Sequence, residues 1–254
     1  MICPDSPVPM CRQSSPEQAV GFIPEPVIAE IAQAISGIRS PFVTRVAIDG
    51  VDGAGKTHFA DRVGKALVAS GREVIRVSVD GFHNPRATRY QRGRFSPEGF
   101  YFDSYDYAAL KALVLDPLSP GGSGRCITAA FDHLSDSAVA IAPCQANAGA
   151  ILLFDGIFAQ RPELRGYWDL TVFLDVRFER SIARLMQRDG GPADRFAHLN
   201  WRYCQGQKHY IRACAPFSRA TIVVDNNDVL SPFILHRAEP RRRLIRLFNR
   251  TSVR

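Results

Sequence analysis

Short apolar runs alternate along the chain with stretches whose apolar positions recur every three or four residues. The runs are residues 44–48, 74–79, 151–154, 171–174 and 221–224. They are rich in Val, Ile and Leu and lack the polar alternation of a half-exposed strand, so they predict strands covered on both faces. Between them, helical spacing covers 26–36 (Val27, Ile28, Ile31, Ala34, Ile35, stopped by Gly37), 56–70 (stopped by Gly71), 106–115, 177–187 and about 195–212. Strands alternating with helices predict an α/β fold of three layers, a mostly parallel central sheet with helices on both faces. In such sheets ligands bind at the carboxyl ends of the strands. Asp49 with Gly50, Asp80 and Asp155 all fall at such ends.

The segments without a period divide the rest. Residues 1–25, rich in Pro and Ser, read as a loose extension, and 26–236 as the catalytic domain. Residues 84–105 are polar, aromatic and Arg-rich and read as a long functional loop. Residues 117–125 read as a turn, and Gly190-Gly191-Pro192 breaks a lid segment at about 184–200. Of the net charge of +7, the tail 237–254 carries +6, through seven arginines against Glu239. The basic balance thus belongs to the tail, which reads as a short amphipathic helix, and nucleic acid is a poor candidate partner for the domain. The six cysteines form no C-x-x-C pair and no zinc spacing, and read as scattered reduced thiols. With no apolar run of membrane length and no apolar leader, a cytoplasmic protein is expected.

Chemistry enters at residues 50–57. Gly50-Val51-Asp52-Gly53-Ala54-Gly55-Lys56-Thr57 satisfies G-x-x-x-x-G-K-[ST] at every position, after a strand and before a helix. That context makes Gly50, Asp52, Gly53, Ala54, Gly55, Lys56 and Thr57 the phosphate-binding residues. Backbone amides and a helix N-terminus would cradle the anion, Lys56 would reach the β- and γ-phosphates, and the Thr57 hydroxyl would ligate Mg2+. The expected cofactors are ATP and Mg2+. A guanine-reading N-K-x-D motif is absent. Asp80, at a strand end in Asp80-Gly81-Phe82-His83, is placed to accept a proton from an acceptor hydroxyl.

These features, with Phe102-Asp103, Asp106, Phe131-Asp132, Asp155-Gly156, Arg184, Arg188-Asp189 and Asp225-Asn226, resemble the uridine kinase family of P-loop kinases, which includes phosphoribulokinase and pantothenate kinase relatives. The resemblance runs over about residues 43–228. It implies that Asp80 is the catalytic base for a 5′-hydroxyl and that Asp155 is a magnesium-associated acid. Uridine kinases usually have Glu at that position; Asp is one methylene shorter, so the resemblance implies contact with the metal through a water bridge. It implies that Asp103 holds ribose hydroxyls and that Arg184 and Arg188 are lid arginines acting with Lys56 on the transferring phosphate. His83 stands where the family often has Tyr, and His133 lies near its base-reading His. Gln207 and Tyr210, at i, i+3 on one helix, would touch substrate.

Phe102, among neighbouring aromatics, offers a stacking surface, and Arg86 with Arg89, Arg92 and Arg94 leaves an anionic acceptor open. The expectation is an ATP-dependent kinase acting on a small-molecule primary hydroxyl, the 5′-OH of uridine or cytidine first. Pantothenate, a sugar or a phosphosugar are the alternatives within the fold, and a nucleotide-binding regulator without turnover is the alternative outside it. A homo-oligomer is left open.

Overall fold

The computed structural model describes residues 25–189 and 198–238; the N-terminal extension, most of the basic tail and the centre of the lid segment lie outside them. In chain order the elements are α1 Pro26–Ser36, β1 Thr44–Gly50, α2 Lys56–Ala69, β2 Val74–Ser78, α3 Arg86–Arg89, α4 Pro97–Asp103 and α5 Tyr107–Leu110, which runs on as a π-helical turn, Lys111–Leu115. Four short strands follow: β3 Arg125–Cys126, β4 Phe131–Asp132, β5 Ser137–Ala138 and β6 Cys144–Gln145. Then come β7 Ile151–Asp155, β8 Leu170–Asp175, α6 Phe178–Asp189, α7 His198–Cys214, α8 Pro216–Arg219, β9 Ile222–Asp225 and β10 Phe233–Arg237.

Every predicted apolar run is a strand of one six-stranded sheet, ordered β10-β9-β8-β1-β7-β2 and parallel except for β10. The lack of polar alternation has a simple cause. Along β1 and β7, Val46, Ile48, Ile151 and Leu153 enter a core shared with α1 and α2. Ala47, Leu152 and Phe154 face the opposite core, with Phe82, Phe100, Phe158 and Tyr210. Both sides of the sheet are covered, so both sets of side chains are apolar.

The register brings the carboxyl ends together. Ile48 of β1 and Ser78 of β2 both pair with Asp155 of β7. The P-loop, Asp80 and Asp155 thus leave the sheet along one edge.

Two segments depart from the sequence reading. Residues 84–105 hold α3 and α4 rather than an irregular loop. Ser96 caps α4, its Oγ accepting from the Gly99 amide at 3.0 Å, with Pro97 in the first turn. Both helices are too short to print a period. Residues 221–224 are not the last strand: β10 adds an antiparallel edge, mostly exposed, whose pairing rests on backbone hydrogen bonds. Arg237, read as the start of the tail, ends that strand.

Candidate functional site

The P-loop leaves β1 in a conformation only glycine adopts readily. Gly53 and Gly55 have φ of 72° and 87°. At Gly53 space is also lacking, because a Cβ there would stand 2.3 Å from the Ser181 carbonyl oxygen. Helix α6 therefore lies directly on the loop.

The turn sorts its own amides. Gly50 N–H donates to Asp49 Oδ1 (2.8 Å), Asp52 N–H to Gln207 Oε1 (2.8 Å) and Ala54 N–H to the Val51 carbonyl (3.1 Å). The amides of Gly53, Gly55, Lys56 and Thr57 have no acceptor among the described residues. These are the orphan donors of a helix N-terminus, arranged as an anion site. The amide cradle is thus narrower than the seven residues read from the motif: Gly50, Asp52 and Ala54 shape the loop. Lys56 Nζ donates to the Val51 carbonyl (3.0 Å) and lies 4.0 Å from Asp52 Oδ1.

Thr57 and Asp155 meet, as the motif requires. Thr57 Oγ1 donates to Asp155 Oδ2 at 2.9 Å, and Ser78 Oγ reaches the same oxygen at 3.4 Å. Asp155 Oδ1 is taken by Arg76, whose Nη2 lies at 2.8 Å. Arg76 is itself anchored on the Leu153 carbonyl (2.7 Å) and on Asp61 (3.1 Å). A hydroxyl and one carboxylate oxygen are the hard donors magnesium takes, and the set leaves room for phosphate oxygens and water. Among the described residues no cluster of three or more His, Cys, Asp or Glu gathers to hold a metal unaided. Arg76 was not singled out from the sequence, although an arginine inside an apolar strand is a signal.

Beneath the loop lies a buried polar network. Asp49 Oδ2 accepts from the Tyr210 hydroxyl in a short hydrogen bond and from Gln160 Nε2 at 3.2 Å, and Tyr210 Oη accepts from the Gln160 amide at 3.0 Å. Gln207 and Tyr210 do share a face of α7, but it is turned to the P-loop. Gln207 is 3% and Tyr210 2% exposed, with their polar groups engaged by Asp52 and Asp49. In this structure they hold the two flanks of the loop's first turn.

Burial pushes the Asp49 carboxyl up to about 6, although Tyr210, Gln160, the Gly50 amide and the Lys56 charge all pull it down. A raised carboxyl binds its proton more tightly in the folded than in the unfolded chain. Its contribution to stability is therefore full below about pH 4 and is lost as pH rises through about 6, an effect of roughly 3 kcal/mol. Urea melts should show the difference between wild type and Asp49→Asn moving by about 2–3 kcal/mol in the variant's favour from about pH 4 to about pH 7.5. A difference independent of pH would mean that Asp49 titrates normally.

The acceptor side is built around Asp80. Val79–Phe82 is a 3-10 turn, and Gly81 backs onto Ala129, where a Cβ would stand 2.6 Å away. The Asp80 side chain is exposed at the strand end. His83 Nδ1 donates to the Asp80 carbonyl at 3.0 Å, since a carbonyl can only accept, and this fixes Nε2 as the acceptor of the neutral ring. Burial, the largest cause, pulls the His83 pKa down; Asp80 opposes it, and His133 and Arg89 reinforce it. The rings of His133 and Tyr105 both stand 4.5 Å from that of His83. The structure thus brings together Asp80, His83 and His133, with Tyr105 added.

Other predicted residues stand apart. Phe102 packs on Tyr101 and His209, with Arg92 and Arg161 over its ring, rather than in the histidine cluster. Asp103 is buried and ion-paired with Arg92 at 2.8 Å, which positions the end of α4. Arg86 is exposed, and its amide donates to Asp136 Oδ1 at 2.8 Å.

Arg184 caps the loop from α6. Its Nη2 donates to the carbonyls of Asn226 (2.9 Å) and Asn227 (2.8 Å), and its Nη1 to that of Gly53 (3.5 Å). Arg188 is exposed near the end of α6. Asn226, buried, props the loop by donating to the Ala54 carbonyl at 2.7 Å.

A profile of the Phosphoribulokinase / Uridine kinase family matches residues 46–196, well over half of the chain. The protein belongs to this family. It is accordingly a P-loop kinase whose acceptor group is a hydroxyl. Among solved structures, a possible uridine kinase from Bacillus stearothermophilus is similar at 22% identity and a TM-score of 0.61, over 77% of this chain and 96% of that one. A candidate fructose transport system kinase from Silicibacter sp. TM1040 is similar at 24% identity and a TM-score of 0.59, over 75% and 96%. A phosphoribulokinase from Rhodobacter spheroides is similar at 16% identity and a TM-score of 0.50, over 80% and 77%. At these identities the likeness is one of fold. The search of curated proteins gave no match. No helix among the described residues is long and apolar enough to cross a membrane.

Proposed function

We propose that the protein transfers the γ-phosphoryl group of MgATP to a primary hydroxyl, with the 5′-hydroxyl of uridine or cytidine as the first acceptor to consider. The observation that carries this is one shared edge of the sheet, where the unengaged amides of Gly53, Gly55, Lys56 and Thr57 stand beside the exposed carboxylate of Asp80. In this reading Lys56 and the amides hold the phosphates, and Thr57 and Asp155 hold magnesium, which when bound supplies charge neutralisation on the transferring group. Asp80 accepts the proton of the attacking hydroxyl. His83, His133 and Tyr105 form the aromatic surface beside it on which a planar base can stack. Arg184 and Arg188 belong to the segment proposed to close over the site.

One observation favours a second reading, an acceptor that carries a phosphate or carboxylate as well as its hydroxyl. Arg202 of α7 is 3% exposed, donates to the carbonyls of Arg94 and Arg89 and to the Tyr90 side chain, lies over the Tyr90, Phe100 and Tyr203 rings, and has no carboxylate partner among the described residues. Arg89, adjacent, pairs with Asp136. Both Nε atoms are buried without a partner. A buried guanidinium lacking a counter-charge is costly, and an anionic ligand would relieve that cost.

ADP release measured with uridine, cytidine, pantothenate, a free sugar and a phosphosugar separates the readings. Turnover with the nucleosides supports the first. Turnover restricted to the anionic acceptors supports the second. Tight ATP binding without turnover on any acceptor would leave a nucleotide-binding regulator.

A further inference from the structure

Cys126 and Cys144, distant in sequence, are directly opposed across the β3–β6 ribbon. Their sulfurs stand 3.0 Å apart, and the residues are 1% and 7% exposed. Opposed residues of an antiparallel pair have Cα atoms about 4.5–5.5 Å apart, within the span a disulfide bridges. We propose that Cys126 and Cys144 form a dithiol that closes to a disulfide under oxidation, and that the bridge clamps the segment carrying His133.

The segment between the two cysteines is part of the acceptor wall. It holds the β4–β5 hairpin, with Ala130 N–H donating to the Gly81 carbonyl at 2.8 Å and Val139 N–H to that of Ala130 at 3.0 Å. Gly81 adjoins Asp80, and His133 stacks on His83. Closing the ribbon therefore restrains the backbone that backs the proposed base. With two residues per strand and no further strand beside it among the described residues, the ribbon is an element that opens easily. Opening admits a small oxidant to sulfurs that the closed ribbon shields.

The chemistry needs a hydroperoxide. One thiolate attacks the peroxide oxygen and becomes a sulfenic acid as the O–O bond breaks and water leaves. The second thiolate attacks that sulfur, the S–S bond forms and a second water leaves. Two thiols and one hydrogen peroxide thus give one disulfide and two waters, with both electrons going to the peroxide.

The test treats the full chain with hydrogen peroxide, alkylates remaining thiols after denaturation and maps peptides without reduction. The expected result is a linked pair of peptides containing Cys126 and Cys144, two hydrogens lighter than the separate peptides, which separates on reduction. The oxidised protein should melt roughly 5–10 °C higher, as expected for a closed loop of this length. Amide hydrogen exchange over residues 127–139 should slow. Cys204→Ser should still form the link, and Cys144→Ala should lose both the link and the shift in melting. Alkylation of both residues after peroxide, or a link to another cysteine, would overturn the pairing. A link that leaves melting and exchange unchanged would overturn the clamp. Wild type alone decides these outcomes, so a variant that fails to fold does not obscure them.

Discussion

Replacing Asp80 with Asn should remove phosphoryl transfer almost completely while leaving nucleotide binding intact. Asn keeps the shape and the hydrogen-bonding reach of the side chain but cannot take a proton, and loss of a positioned general base costs about 10^2–10^4 in rate. The surroundings of residue 80 make the change a clean one. Its side chain is exposed, and the turn that carries it is held by backbone: the Gly81 and Phe82 carbonyls accept from the Ala130 and Asp106 amides at 2.8 Å each. None of these bonds involves the carboxylate. Stability should therefore change by less than about 0.5 kcal/mol, the range of ordinary surface substitutions. Binding of ADP, measured by calorimetry, should stay within a few-fold of wild type or tighten slightly, because a negative charge facing the phosphate site is removed. An Asp80→Asn protein that turns over within tenfold of wild type would mean that another group takes the proton. Half-buried Asp52, whose charge like that of Asp80 acts on Tyr105, would then be the next carboxylate to replace.

The sequence carried the sheet and the phosphate site further than the acceptor site, for a physical reason. Strands buried on both faces must be apolar throughout, so 44–48, 74–79 and 151–154 announce themselves residue by residue. A P-loop is equally local, since its glycines answer to a backbone path and its lysine to a charge a few residues away. Long-range pairing leaves no such mark. The i, i+3 spacing of Gln207 and Tyr210 reveals a common face, but not that Asp52 and Asp49 lie opposite it. Asp103 reads as an acid free for a ligand until Arg92 is found beside it. The scattered cysteines include two that a ribbon of two-residue strands sets face to face. Such ribbons, like α3 and α4, are shorter than any period that could reveal them.

Lys56→Met should lower the rate by about 10^2–10^3 and weaken binding of the triphosphate, by removing the positive charge that the phosphates meet. The size of the binding loss depends on Asp52. In this structure Lys56 reaches the Val51 carbonyl and stands 4.0 Å from Asp52 Oδ1, so the ammonium offsets an acid within the anion site itself. Methionine fills the same volume but leaves the Asp52 carboxylate without that cation. Gln207 still donates to Asp52, through a dipole rather than a charge. The site then repels a triphosphate where it formerly attracted one. Asp52→Asn, which removes the acid and keeps the backbone amide on Gln207, should therefore restore part of the nucleotide affinity in the Lys56→Met background without restoring the rate. In the wild-type background the same substitution should change affinity much less. Titrations of a non-hydrolysable ATP analogue into the four proteins measure the coupling directly. If the two substitutions add independently, Asp52 has no electrostatic part in phosphate binding, and its role is confined to the hydrogen bonds that tie the loop to α7.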